Sequence, residues 1–66
     1  MNVGTVAGKI WKTLDKNGAM TANALVKELR EKSNLVLMGI GWLLREDKLK
    51  VRKSGNTTKY ALKEAK

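Results

Sequence analysis

The chain has no cysteine, no histidine and no proline among its 66 residues. Without cysteine it cannot form disulfides, and without cysteine or histidine the usual zinc sites are excluded. The same gap removes the commonest catalytic bases and nucleophiles. The six carboxylates are scattered, and most stand beside a lysine or arginine. Glu46 and Asp47 are the single adjacent pair, and consecutive helical positions do not face each other. No glycine-rich phosphate loop follows a strand. Ser33 and Ser54 are explained as a helix cap and a turn residue. The inventory therefore points away from an enzyme, a metal site or a cofactor.

Long hydrophobic runs are also missing. The longest uncharged stretch, Ser33 to Leu44, is twelve residues, well short of the roughly 20 needed to span a bilayer. The start, Met1-Asn2-Val3-Gly4, has neither the basic residues nor the apolar run of a secretion signal. A cytoplasmic location away from membranes is the expectation.

What the chain does have is positive charge. Fourteen lysines and arginines against six acids give a net charge of +8. That biases the partner toward phosphate backbones or acidic surfaces. The length allows one domain with a modest core. With disulfides and zinc ruled out, self-association is the remaining route to extra stability.

The apolar periodicity changes along the chain. Val3, Val6, Ala7, Ile10, Trp11 and Leu14 fall on one helical stripe, with Lys9, Lys12 and Lys16 opposite as a solvent face. Asn17-Gly18 stops this first helix. Ala19-Met20 is too short for a helix and reads as a tiny strand. Thr21 is an N-cap, and Ala22, Leu25, Val26 and Leu29 form a second, shorter stripe. Ser33 is a further N-cap candidate, and a third helix runs from about Asn34 to Glu46. The period then becomes two. Leu49 and Val51 alternate with Lys50 and Arg52, and Tyr60 and Leu62 alternate with Lys59, Ala61 and Lys63. Lys53-Ser54-Gly55-Asn56-Thr57 supplies the turn between them. The order is helix, short strand, helix, helix, hairpin. This predicts an α+β winged helix-turn-helix over residues 1–63, its C-terminal hairpin forming the wing, with 64–66 as a tail.

Two segments carry a resemblance beyond that order. Ala7-Gly8-Lys9-Ile10-Trp11 lies in the first helix, and Gly41-Trp42-Leu43-Leu44-Arg45-Glu46-Asp47-Lys48 closes the third. With the wing, they resemble a family of short, free-standing prokaryotic winged helix-turn-helix domains. The likeness spans nearly the whole chain. It implies the fold and assigns no activity.

The third helix is unusual for a groove reader. In most winged helices it enters the major groove, where hydrogen-bonding side chains read base edges. Here no Arg, Lys or Gln precedes Arg45, and Ser33 and Asn34 are the polar candidates at its start. Val36, Leu37, Ile40, Leu43 and Leu44 share one broad face, expected to meet the other helices. Leu35, Met38 and Trp42 share another. That second face is expected either to lie under the wing, against Leu49, Val51 and Tyr60, or to pair with another copy. Gly39 and Gly41, each costing about 1 kcal/mol in a helix interior, are expected to reflect either the close approach of another backbone or a bent or frayed helix without functional meaning.

Residues 45 to 66 carry eight positive and three negative charges. The leading expectation is a small regulatory or accessory protein, homodimeric, that binds double-stranded DNA with little sequence preference. Ser33, Asn34, Arg45, Lys48, Lys50, Arg52, Lys53 and Lys59 form its nucleic-acid-binding set. Leu35, Met38 and Trp42 form its dimer or partner interface. The competing expectation is a protein-interaction or dimerisation module of the same fold without DNA binding. The lysines of the wing also serve solubility and protect a sheet edge.

Overall fold

Val6, Ala7, Ile10 and Leu14 are buried along one side of the first helix, α1 (Val3–Asn17), as their spacing dictates. The structure, a computed structural model, describes residues 3–63. Gly18 ends α1 in the left-handed region at φ 81, where glycine pays no Cβ penalty. Its N–H donates to the Leu14 carbonyl at 2.8 Å. Trp11, placed by the sequence on the core stripe, is instead exposed at the margin of that stripe.

The expected tiny strand is a single residue. Met20 and Tyr60 exchange two backbone hydrogen bonds, at 3.0 and 2.7 Å. Thr21 then caps α2 (Ala22–Leu29), its Oγ1 accepting from the Ala24 N–H at 3.1 Å. The helix closes on Arg30 at φ 55, with the Arg30 N–H bonded to the Val26 carbonyl. A left-handed conformation is costly for a side chain with a Cβ. Arg30→Gly is therefore expected to stabilise the domain by about 0.5–1 kcal/mol. A thermal melt no higher than that of the parent chain would count against this.

The third helix, α3 (Ser33–Arg45), begins one residue earlier than the sequence indicated. Ser33 is not its cap. Lys32 holds that place in an extended conformation without a side-chain cap bond. The end of the helix is sharp. The Asp47 N–H bonds to the Leu44 carbonyl and the Lys48 N–H to the Leu43 carbonyl, with Asp47 at φ 61. That paired pattern is a Schellman stop, and it turns the chain into the hairpin. Strands β1 (Leu49–Ser54) and β2 (Thr57–Leu62) pair antiparallel around Gly55-Asn56. Gly55 takes φ 60, as the first position of a two-residue type II′ turn requires.

The core gathers α1, α2, α3 and the base of the hairpin. Ile10, Leu25 and Val36 are its largest fully buried side chains, with Leu49 and Leu62 closing it from the sheet. Gly39 sets the contact between α1 and α3. A Cβ built on it would lie 2.7 Å from Ile10 Cδ1, 3.3 Å from Val6 Cγ1 and 3.4 Å from the Ala7 backbone nitrogen. The close backbone approach expected for Gly39 is thus found, with α1 as the neighbour. Among the described residues Gly41 has no such neighbour; it is exposed, with nothing within 4 Å of a Cβ.

The seating of α3 corrects the expected face assignment. Leu35 is buried, at 8% exposure, and belongs to the core cluster. Leu37 and Leu44, expected in the core, are exposed, Leu37 at 52%. Trp42 is 51% exposed and Val51 is also exposed, so the wing does not cover the tryptophan. The physical reason is the close approach at Gly39. Turning that residue inward turns the buried arc of α3 onto Leu35, Val36, Gly39, Ile40 and Leu43. The opposite arc then carries Leu37, Met38, Gly41 and Trp42. Among the described residues, no helix is long and apolar enough to cross a membrane.

Candidate nucleic-acid interface

The hairpin has two unlike faces. Side chains alternate along a strand, and the register pairs Leu49 with Leu62, Val51 with Tyr60 and Lys53 with Thr58 on one side. Lys50 with Ala61, Arg52 with Lys59 and Ser54 with Thr57 occupy the other. Burial along β1 fades after Lys50, so the outer half of the hairpin stands clear of the helices.

Directly opposed residues in an antiparallel pair have Cβ atoms about 4.5–5.5 Å apart. Arg52 and Lys59 therefore present two like charges side by side. Neither forms an ion pair among the described residues. The ion pairs among the described residues are Lys9–Glu31 at 3.0 Å and Lys63–Asp47 at 2.6 Å. The first links α1 to the turn before α3, so one lysine of the expected solvent row is partnered. The second ties the end of the hairpin to the stop of α3. Arg45, Lys48, Lys50, Arg52, Lys53 and Lys59 take part in neither. All six are exposed except Lys50, which is half-buried.

These six cations follow one another from the end of α3 into the hairpin. Ser33 and Asn34 do not join them. They are exposed at the opposite end of α3, and at 1.5 Å per residue the helix separates them from Arg45 by roughly 16–18 Å. Between those ends, the outer surface of α3 offers Leu37, Met38, Gly41, Trp42 and Leu44. It has no side chain able to hydrogen-bond a base edge apart from the Trp42 indole N–H, which donates only.

One arrangement could not be read from the sequence. Lys50 and Arg52 border a groove of about 230 Å³ whose other walls include Leu14 and Asp15 of α1, Gly18 and Ala61. The cationic face of β1 is thus set beside the end of α1, and a carboxylate, Asp15, shares its border. Strand alternation placed Lys50 and Arg52 on one side of the strand, but only the packing of the hairpin decides what that side faces. Among the described residues there is no cluster of acidic groups suited to a metal ion.

Comparison with known proteins agrees with this geometry. A family model described as a winged helix-turn-helix domain (DUF2582) matches residues 1–62. The uncharacterized protein MJ1608 of Methanocaldococcus jannaschii is 44% identical over 54 residues, covering 77% of this chain and 76% of that protein. The solution NMR structure of protein BT2368 from Bacteroides thetaiotaomicron superposes with a TM-score of 0.84 at 23% identity. That match covers 91% of this chain and 73% of the other, and it speaks to the fold alone. With the helices, the hairpin and nearly the full length accounted for, the chain belongs to the winged helix-turn-helix domain family DUF2582.

Proposed function

We propose that this domain binds the phosphate backbone of double-stranded DNA through its hairpin and the end of α3, with little sequence preference. The observation that carries this reading is the opposition of Arg52 and Lys59. Like charges directly across a strand pair destabilise a sheet, and, although Asp15 borders the same groove as Lys50 and Arg52, no ion pair among the described residues offsets them. A phosphate lying across the pair would. Lys50 stands on the same face of the hairpin and Lys53 on the other, and with Arg45 and Lys48 at the end of α3 they add backbone contacts. The weak sequence preference follows from α3, whose outer side chains are mostly apolar where base-reading groups would have to stand. Ser33 and Asn34 are left as minor contacts at the far end of the helix. A small regulatory or accessory protein is the role that fits.

The exposed apolar surface of α3 favours a second reading, a protein-interaction module of this fold without DNA binding. Titration of random-sequence duplex DNA at two salt concentrations separates the two. Non-specific binding of this type has a Kd of about 1–100 μM at physiological salt. With six cations engaged, affinity should fall by about a thousandfold between 50 and 200 mM salt, from a slope near −0.9 per contact. Replacing Lys50 and Arg52 together by alanine should flatten the slope by about two. No detectable binding at low salt would transfer the case to the second reading, and an unchanged slope in the double variant would take Lys50 and Arg52 out of the DNA contact.

A further inference from the structure

The groove between the end of α1 and the hairpin, about 230 Å³ in volume, has two walls of opposite charge. The α1 wall carries the Asp15 carboxylate, and the β1 wall carries Lys50 and Arg52. The rest of the lining is mostly apolar, from Leu14, Ala19, Ala61 and Leu62. We propose that this groove binds a free α-amino acid with an aliphatic side chain. Its ammonium meets Asp15, its carboxylate meets Lys50 and Arg52, and its side chain lies on the apolar lining.

Small residues keep the space open. Ala61 is the cross-strand partner of Lys50, so the sheet face beside the lysine has only a methyl group to fill it. Gly18 and Ala19, just past the end of α1, also line the groove and fill little of it. Lys50 is half-buried, and a lysine so placed packs its stem while its ammonium stays available.

Charge selects the occupant. Asp15 shares the groove with two cations, yet none of the three takes part in an ion pair among the described residues. Asp15 also stands in the last turn of α1, where the helix dipole disfavours a carboxylate. A ligand ammonium offsets that cost, since it meets both Asp15 and the negative end of the helix. A simple carboxylate or phosphate would satisfy the β1 wall and be repelled by Asp15. A simple amine would do the reverse. A zwitterion satisfies both walls. Volume sets the side chain. At about 30 Å³ per water, the groove has room for roughly seven or eight waters, which suits a molecule of about nine heavy atoms such as leucine. The site stands apart from DNA binding. On the DNA reading, ligand and duplex would compete for Lys50 and Arg52.

The test titrates the whole nitrogen-15-labelled chain with leucine, without DNA, at about 0.1 M salt. Amide signals of Gly18, Ala19, Lys50, Arg52 and Ala61 should shift together and saturate with a Kd of about 0.1–1 mM, the range for so small a ligand. Isocaproate lacks the ammonium of leucine, isopentylamine lacks the carboxylate and glycine lacks the side chain. Each should bind at least tenfold more weakly, because each leaves one part of the groove unmet. Asp15→Asn, at an exposed position, should keep its helical circular dichroism, lose leucine affinity at least tenfold and bind isocaproate no more weakly than the parent does. Arg52→Gln should weaken leucine and isocaproate alike and leave isopentylamine unchanged. No saturable shift with leucine up to about 20 mM overturns the site. Isocaproate binding as tightly as leucine reduces the groove to an anion patch and overturns the proposal. An Asp15→Asn chain that loses both ligands equally, or neither, overturns it as well. With no duplex present, each of these failures leaves the DNA reading standing.

Discussion

Gly39→Val is expected to destabilise the domain by about 2–3 kcal/mol, near the upper end of the cost of overpacking a core. The substituent enters a space already filled. Its Cβ would sit 2.7 Å from Ile10 Cδ1, so the end of the fully buried Ile10 side chain must shift within the core. The Ala7 backbone nitrogen at 3.4 Å limits any movement of α3 toward α1. Gly39→Ala should cost less, because the clash is partly offset by the gain of about 1 kcal/mol in helix propensity. Valine is β-branched and recovers little of that gain. For a chain of this length, total stability is of the order of 3–10 kcal/mol, so the loss is a large share. The melting temperature should fall by roughly 10–20 °C. Gly8→Val is the control, since a Cβ there meets nothing, and it should melt near the parent. If both variants melt alike, α3 is not seated on α1 as described.

Lys59→Glu is expected to move stability and affinity in opposite directions. Opposite Arg52, a glutamate converts a repulsive cross-strand pair into an attractive one. The gain should be about 0.5–1 kcal/mol, read as a rise of a few degrees in melting temperature. The same change reverses a charge in the middle of the proposed phosphate surface. Affinity for random duplex DNA at low salt should drop at least tenfold, and the salt slope should become shallower by about one to two contacts. A purely structural role for the lysines predicts the first effect without the second. A variant that gains stability and binds DNA as before would remove the hairpin from the interface. The two readouts together therefore distinguish a solvated strand from a surface kept for an anion.

These expectations divide along the same line as the information itself. Element order, the stop at Gly18, the Thr21 cap, the Gly55-Asn56 turn and the alternation of the hairpin were legible because each depends on neighbours in the sequence. So was the separation of Lys50 and Arg52 from Leu49 and Val51, which a period of two enforces. The misassignments lie where local rules are silent. Ser33 has the side chain of a cap, but the chain turns into α3 one residue earlier, at Lys32. Val51 alternates correctly yet stays exposed, because the hairpin outruns the helices it packs on.

The sequence by itself determined a winged helix-turn-helix with a strongly basic hairpin and a third helix that has too few polar groups to hide its apolar ones. Tertiary structure decided which of those apolar residues face solvent. A helix that is apolar around most of its circumference has no inward side of its own. The close approach of α1 at Gly39 chose one, burying Leu35 and leaving Leu37, Met38, Trp42 and Leu44 outside.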